Sequence, residues 1–249
     1  MSVGVAESSH LSGRRALSVQ TYVKIAGVLL LLSFIGGFGE AYVPSKLIAA
    51  NDAAATVENL KVSDYMFRLG FAGYLVEACC DVSLALIFYV LLKPVDKYVS
   101  LLAAFLGLIG TATFAAAELF YFAPTLLLRN GNYLKSFTPD QLNALVLLSL
   151  NLFGLGAVIF TAFYGLSWGL RGYLMFRSGY FPKFLGVLMA LAGLAFIVSN
   201  FMVVLAPHYN ASWLPAFMVP GALLLTVWLL IKGVDLRKWE EKTAGDSTV

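Results

Sequence analysis

Charged residues are scarce in this chain. Asp, Glu, Lys and Arg make up 12% of its 249 residues, against 60% that are hydrophobic. Soluble domains are about a quarter charged. A soluble fold of this length would leave large apolar patches in water. The shortage of charge therefore excludes that class and points to a bilayer as the solvent. Cysteine is nearly absent: Cys79 and Cys80 sit side by side in an apolar segment. They offer neither a disulfide framework nor zinc spacing, and read as small packing residues. Histidine is limited to His10 and His208, which excludes bis-histidine haem ligation and a histidine zinc site within the membrane. The net charge is +3, yet no basic run or basic-aromatic patch suggests nucleic acid. There is no His-Glu-x-x-His, no P-loop and no dinucleotide glycine pattern. Gly165-Leu-Ser-Trp-Gly169 matches the serine-hydrolase pattern in letters. It lies inside an apolar run rather than at a strand-to-helix turn, with no histidine available as base. No cofactor and no metal site is expected.

What the sequence does have is long apolar runs. A spanning helix needs about 20 mostly apolar residues. Six runs meet this requirement, at 22–43, 65–92, 98–122, 141–170, 184–205 and 215–231. They predict an all-α, polytopic transmembrane bundle of six helices. The membrane domain covers 22–233, between an N-terminal tail (1–21) and a C-terminal tail (234–249). The first run follows Arg14 and Arg15 and could pass for a signal peptide, but no small-residue cleavage site follows it at the usual distance. In the first connection, Asp52 is placed to cap a short helix through Lys61, with Ala53, Val57 and Leu60 on one face. Pro94 breaks the chain after the second run. Thr138-Pro139-Asp140-Gln141 is a strong helix start, with threonine as cap and glutamine able to reach back.

The loop charges orient the bundle. With the N-terminus inside, the inner segments hold Arg14, Arg15, Lys24, Lys93, Lys97, Arg171, Arg177, Lys183, Lys232, Arg237, Lys238 and Lys242. The outer segments hold Lys46, Lys61, Arg129 and Lys135. Cytoplasmic loops carry the excess of lysine and arginine, so both termini are expected in the cytoplasm and the protein in the cytoplasmic membrane. Trp213 and Tyr209 outside, and Trp239 and Tyr98 inside, suit interfacial positions. The two halves show no convincing internal repeat.

Ionisable side chains inside spans are costly and are functional candidates by default. They are Glu40, Arg68, Glu77, Asp81 and Glu118. Helix rise places Glu40, Arg68 and Glu118 toward the outer ends of their spans. There Arg68 would neutralise one or both glutamates, and for Glu40 and Arg68 a structural salt-bridge network is the favoured reading. Glu77 and Asp81 lie deeper. Four residues apart, they share a face about 40° wide. With Glu118 they are the candidate cavity or ion-relay residues. Asn151, Ser199 and Asn200 read as interhelical hydrogen-bonding groups. Gly36, Gly37 and Gly39, and Gly154, Gly156, Gly165 and Gly169, make helix faces smooth enough for close approach.

Several stretches also carry a resemblance. They are Gly39-Glu-Ala-Tyr-Val-Pro-Ser-Lys-Leu-Ile48, Asp52-Ala-Ala-Ala-Thr-Val-Glu-Asn59, Phe67-Arg-Leu-Gly70, Asp81 with Tyr89-Val-Leu-Leu-Lys-Pro94, Ser178-Gly-Tyr-Phe-Pro-Lys-Phe-Leu-Gly186 and Thr226-Val-Trp-Leu-Leu-Ile-Lys-Gly233. Together they resemble a prokaryotic family of six-helix membrane proteins classed only as a domain of unknown function. The resemblance runs from about Val23 to Val234. It implies a bacterial or archaeal membrane protein and supplies no activity. Glu40, Asp52, Thr56, Asn59, Arg68 and Asp81 match recurring family positions. The chain departs at Gly221-Ala222, where relatives often carry Gly-Glu, and lacks histidines that relatives can have in the fourth span.

Three functions are compatible with these residues. One is permeation of a small solute, cation or proton through a polar cavity at Glu77, Asp81 and Glu118. A second is an intramembrane enzyme acting on a lipid, with carboxylates as acid and base. A third is a non-catalytic scaffold or sensor. No enzyme signature favours the second. The expected partners are membrane lipids, without nucleic acid, and assembly into a homo-oligomer stays open.

Overall fold

A computed structural model describes residues 18–129, 131–206, 208 and 218–246. The expected N-terminal tail up to residue 17, the start of the sixth run, Tyr209 and Trp213 lie outside the described residues. Among the described residues the chain is helical, with no strand. The helices are α1 (Val19–Gly36), α2 (Phe38–Lys46), α3 (Ala53–Val62), α4 (Asp64–Leu92), α5 (Lys97–Leu127), α6 (Pro139–Ser178), α7 (Lys183–Leu205), α8 (Met218–Ile231) and α9 (Leu236–Asp246). A single 3-10 turn, Asn132–Leu134, precedes α6.

Five helices, α1, α4, α5, α6 and α7, are long and apolar enough to cross a membrane. The pair α8 and α9, bent by 92°, raises the number to as many as six. Their outward faces carry large apolar side chains such as Ile35, Leu86, Phe105, Leu155, Leu191 and Leu223. Such a surface is stable against acyl chains and not against water. The protein is a multi-pass membrane protein. The long helices follow one another in a ring, α1–α4–α5–α6–α7–α8, which closes where α8 meets α1, and α4 touches α6 across the interior.

The first apolar run is not one continuous helix. It divides at Gly37 into α1 and α2. Close packing accompanies this break. A Cβ on Gly36 would stand 2.6 Å from the Gly73 carbonyl oxygen, and one on Gly39 would collide with Gly70. Only residues without side chains let α1, α2 and α4 cross at this distance. The connection after α2 is knit by side chains. Asp52 Oδ1 accepts from the Ala55 amide at 2.8 Å, capping α3 as its sequence position predicts. Thr56 Oγ1, fully buried, donates to the Asp52 carbonyl at 2.8 Å, and Asn59 Nδ2 donates to the Leu47 carbonyl at 3.2 Å. Val57 and Leu60 face inward, and α3 packs on α6.

Helix α6 starts with the expected capping box. Thr138 Oγ1 accepts from the Gln141 amide at 3.3 Å, and Gln141 Oε1 accepts from the Thr138 amide at 2.8 Å. Its far end differs from the expectation near Leu170. Gly172 does not stop the helix but packs within it against Gly186 and Ala190 of α7. The stop is Gly179, whose φ of 79° is left-handed. Arg171 therefore belongs to the helix and not to a loop.

The buried side chains form two apolar cores. One, toward the α3 end, includes Phe67, Tyr74, Phe114, Tyr121, Val146 and Phe153. The other, toward the α9 end, includes Leu84, Phe88, Trp168, Leu174, Leu185 and Leu225. Tyr164 packs against both. The α9 end is tied by backbone acceptors. Tyr180 Oη donates to the Leu91 carbonyl at 2.6 Å, Gln20 Nε2 donates to the Lys232 carbonyl at 2.9 Å, and the Asp235 amide donates to the Tyr180 carbonyl at 3.2 Å. The first two satisfy carbonyls that helix ends leave open, and the third ties the turn after α6 to the residue before α9.

Candidate functional site

Between the two cores α4, α5 and α6 place polar side chains at one level. Asp81 of α4 is 7% exposed. Tyr164 Oη of α6 donates to Asp81 Oδ1 at 3.2 Å, and Thr111 Oγ1 of α5 approaches Asp81 Oδ2 at 3.5 Å. A buried carboxylate needs such donors, because each unsatisfied oxygen would otherwise cost its full desolvation. Toward the α9 end stands Arg171, also buried. Its guanidinium lies over the rings of Phe88 and Trp168, 5.2 Å from each centroid. Room for it comes from Gly107 of α5, where a Cβ would stand 3.0 Å from Arg171 Nη2 and 3.1 Å from Ser167 Oγ. Ser167 Oγ in turn donates to the Ala103 carbonyl at 2.7 Å. Arg171 lies within electrostatic reach of Asp81 and Tyr164.

Toward the α3 end the acids continue. Glu118 of α5 is 3% exposed, and its Oε2 has no hydrogen-bond partner among the described residues. Glu77 of α4 is half-buried and lies within electrostatic reach of Glu118. The shared face of Glu77 and Asp81 divides in three dimensions. Glu77 turns to α1, where its Cβ would be 2.9 Å from a Cβ on Gly36 and its Oε2 3.3 Å from one on Gly37. Asp81 turns to α5 and α6. The 40° between them is thus enough to separate two helix clefts. Arg68 is exposed at the α3 end, and its Nε donates to Asp64 Oδ2 at 2.7 Å. The Glu40 side chain lies outside the described residues.

Sequence reasoning did not find Thr111, Tyr164 or Arg171. A signal existed for the pair on α6: residues seven apart share a face. Ending the fourth run at residue 170 hid it. Asn200 Oδ1 accepts from Thr161 Oγ1 at 3.0 Å, joining α7 to α6 as a neutral interhelical bond. Glu77, Asp81 and Glu118 line none of four cavities at the protein surface, two at the α3 end, one at the α9 end and one apolar groove. That groove, about 570 Å³ between α4 and α5, touches Thr111 but not Asp81. Among the described residues no three His, Cys, Asp or Glu side chains are grouped as metal ligands.

A family model described as a domain of unknown function (DUF4386) matches residues 25–233. The chain belongs to this family. An uncharacterised protein of Archaeoglobus fulgidus is similar to it, 27% identical over 178 residues, which cover 72% of this chain and 90% of that protein. No solved structure matches. DUF4386 carries no activity to transfer. The positions singled out by the family resemblance nonetheless sort by geometry. Asp52, Thr56 and Asn59 bind the α2–α3 connection together, Arg68 pairs with Asp64, and Asp81 sits at the centre of the buried cluster. Ala222, where the resemblance puts a glutamate, is a buried methyl on α8.

Proposed function

We infer that this DUF4386 protein is a proton-handling protein of a prokaryotic cytoplasmic membrane, with six spans and both termini in the cytoplasm. Loop charge supports the orientation. With Arg171 withdrawn into the bundle and Arg68 counted at the rim, the inner segments of the sequence still hold eleven lysines and arginines against five in the outer ones. The sixth apolar run of the sequence, 215–231, contains α8, whereas α9 is charged and turned 92° away.

One observation carries the proton reading: Asp81, sealed within the bundle, is held by the hydroxyls of Tyr164 and Thr111. A solute or a metal cation needs a cavity that reaches the acids. A proton needs only titratable groups within side-chain rotation of one another. Glu118 and Glu77 lie within electrostatic reach of one another toward the α3 end, and Asp81 follows Glu77 one helical turn along α4. Tyr164 follows Asp81, and Arg171 holds a fixed positive charge beyond. Lipid chemistry at these acids is less well supported, because the apolar groove stops at Thr111.

The test is proton flux in liposomes under an imposed potential. The wild-type protein should conduct above protein-free vesicles, and Asp81→Asn should remove most of that conductance while keeping the fold. Glu77→Gln and Glu118→Gln should each reduce it. Equal flux from wild type and Asp81→Asn would sink the relay. A second reading rests on the same hydrogen bonds, which also fix helix register. Under it Asp81→Asn lowers thermal stability and no variant changes flux.

A further inference from the structure

Four of the cations at the α3 end do not spread over the surface but gather around two adjoining cavities. The smaller, about 310 Å³, is lined by Lys61, Arg68 and Arg129 with Asp64, over Phe67 and Leu128. The larger, about 620 Å³, is lined by Lys61, Arg129 and Lys135. The two share Lys61, Leu128 and Arg129. Among the described residues no acid lines the larger one, and Asp64 in the smaller is engaged by Arg68. Lys61, Arg129 and Lys135 make no ion pair among the described residues. The cations come from the last turn of α3, the end of α5 and the turn before α6, so the fold holds them together. Below them the floor is apolar, with Val57, Leu127, Leu134 and Leu142. Asn132 and Asn143 add neutral amide groups at the wall.

This combination has a chemical meaning. Free anions do not need an apolar floor, and an acyl chain does not need cations. An amphiphile with a phosphate needs both. The cavities lie at the ends of spanning helices, at the level where headgroups meet water. We propose that they seat the phosphate headgroup of an anionic phospholipid from the adjoining leaflet. Arg129 and Lys61 take the phosphate, Lys135 takes the second charge or polar tip of the headgroup, and the apolar floor meets the glycerol and the roots of the chains. Arginine suits this role because its fork pairs phosphate oxygens in parallel.

The experiment uses the full chain in detergent, with retained lipid read by native mass spectrometry. Phosphatidylglycerol, phosphatidylcholine and inorganic phosphate serve as separate probes. Phosphatidylglycerol should bind well above phosphatidylcholine, and inorganic phosphate should neither bind measurably nor displace it. Each cation removed, Arg129→Gln or Lys61→Gln, should weaken phosphatidylglycerol by about fivefold. Lys232→Gln at the α9 end should leave it unchanged. Raising ionic strength should weaken the wild-type complex, a readout that needs no variant. Equal retention of both lipids, full retention by Arg129→Gln with Lys61→Gln, or displacement by inorganic phosphate would each overturn the proposal.

Discussion

The buried cluster around Asp81 and the basic rim around Arg129 handle charge in opposite ways. At the centre of the bundle, ionic groups are few, sealed, and held by neutral partners: hydroxyls for Asp81, ring faces for Arg171. At the α3 end they are exposed, mutually repelling, and gathered around open cavities. The first arrangement leaves no room for a ligand larger than a proton. The second pairs Arg68 with Asp64 and leaves Lys61, Arg129 and Lys135 without an ion pair among the described residues. Depth in the bilayer accounts for the difference. A side chain at the centre must find its partner within the protein, whereas one at the surface can borrow water, salt or a lipid.

The largest effect should come from Arg171→Ala. It removes the positive charge opposite Asp81 and leaves a gap between Phe88, Trp168 and Gly107. Losing a large buried side chain with its two ring-face contacts typically costs about 2–5 kcal/mol. Unfolding in detergent should register a loss of that order. A loss below about 1 kcal/mol, within the range of exposed pairs, would mean that the guanidinium is solvated. The contrast between a sealed centre and an open rim would then fail.

A smaller effect is expected where the sealed style continues beyond the bilayer. Tyr180 sits in the turn between α6 and α7, buried, with its hydroxyl donating to the Leu91 carbonyl at 2.6 Å. Tyr180→Phe should cost about 1–2 kcal/mol, the value of a buried donor lost from an acceptor. Burial pushes the Tyr180 phenol up from its ordinary value. The folded state therefore binds a proton that the unfolded state releases near pH 10. The stabilisation is complete below about pH 10 and declines as pH rises beyond it. Wild-type stability should fall in that alkaline range, and Tyr180→Phe should lose the part of the fall due to this group. An unchanged alkaline limb would place the phenol in water.

Much of this architecture was legible in the chain. The apolar runs located the long helices because backbone in lipid has few other ways to satisfy itself. Local chemistry located the starts of α3 and α6, since Asp52 and Thr138 act within three residues of themselves. The ends were harder. Gly172 and Gly179 look alike as letters, and only the packing of α7 shows that the first is a contact and the second a cap. The close approach beside the break at Gly37 rests in the same way on another helix, where Gly36 meets Gly73. The acids of the site were visible as charges in apolar runs. Their partners were not, because Thr111 and Tyr164 are ordinary residues until two other helices bring them to Asp81.

Arg68 supplies the smallest expected effect and the closest check on the comparison. Sequence depth alone makes it an intramembrane charge that should neutralise glutamates. The structure places it at the rim, on Asp64 one turn back, with side chains 42% and 55% exposed. An i,i+4 partner was readable in the sequence. Exposed pairs of this kind contribute about 0.2–1 kcal/mol, and less in salt. Arg68→Gln should therefore shift stability by no more than about 0.5 kcal/mol at high ionic strength. Asp64 can bear the loss, because a carboxylate in the first turn of α4 also faces the positive end of the helix. A loss above about 2 kcal/mol would exceed what an exposed pair supplies. Arg68 would then be answering a buried acid, and the boundary between the sealed centre and the open rim would lie one helical turn further out.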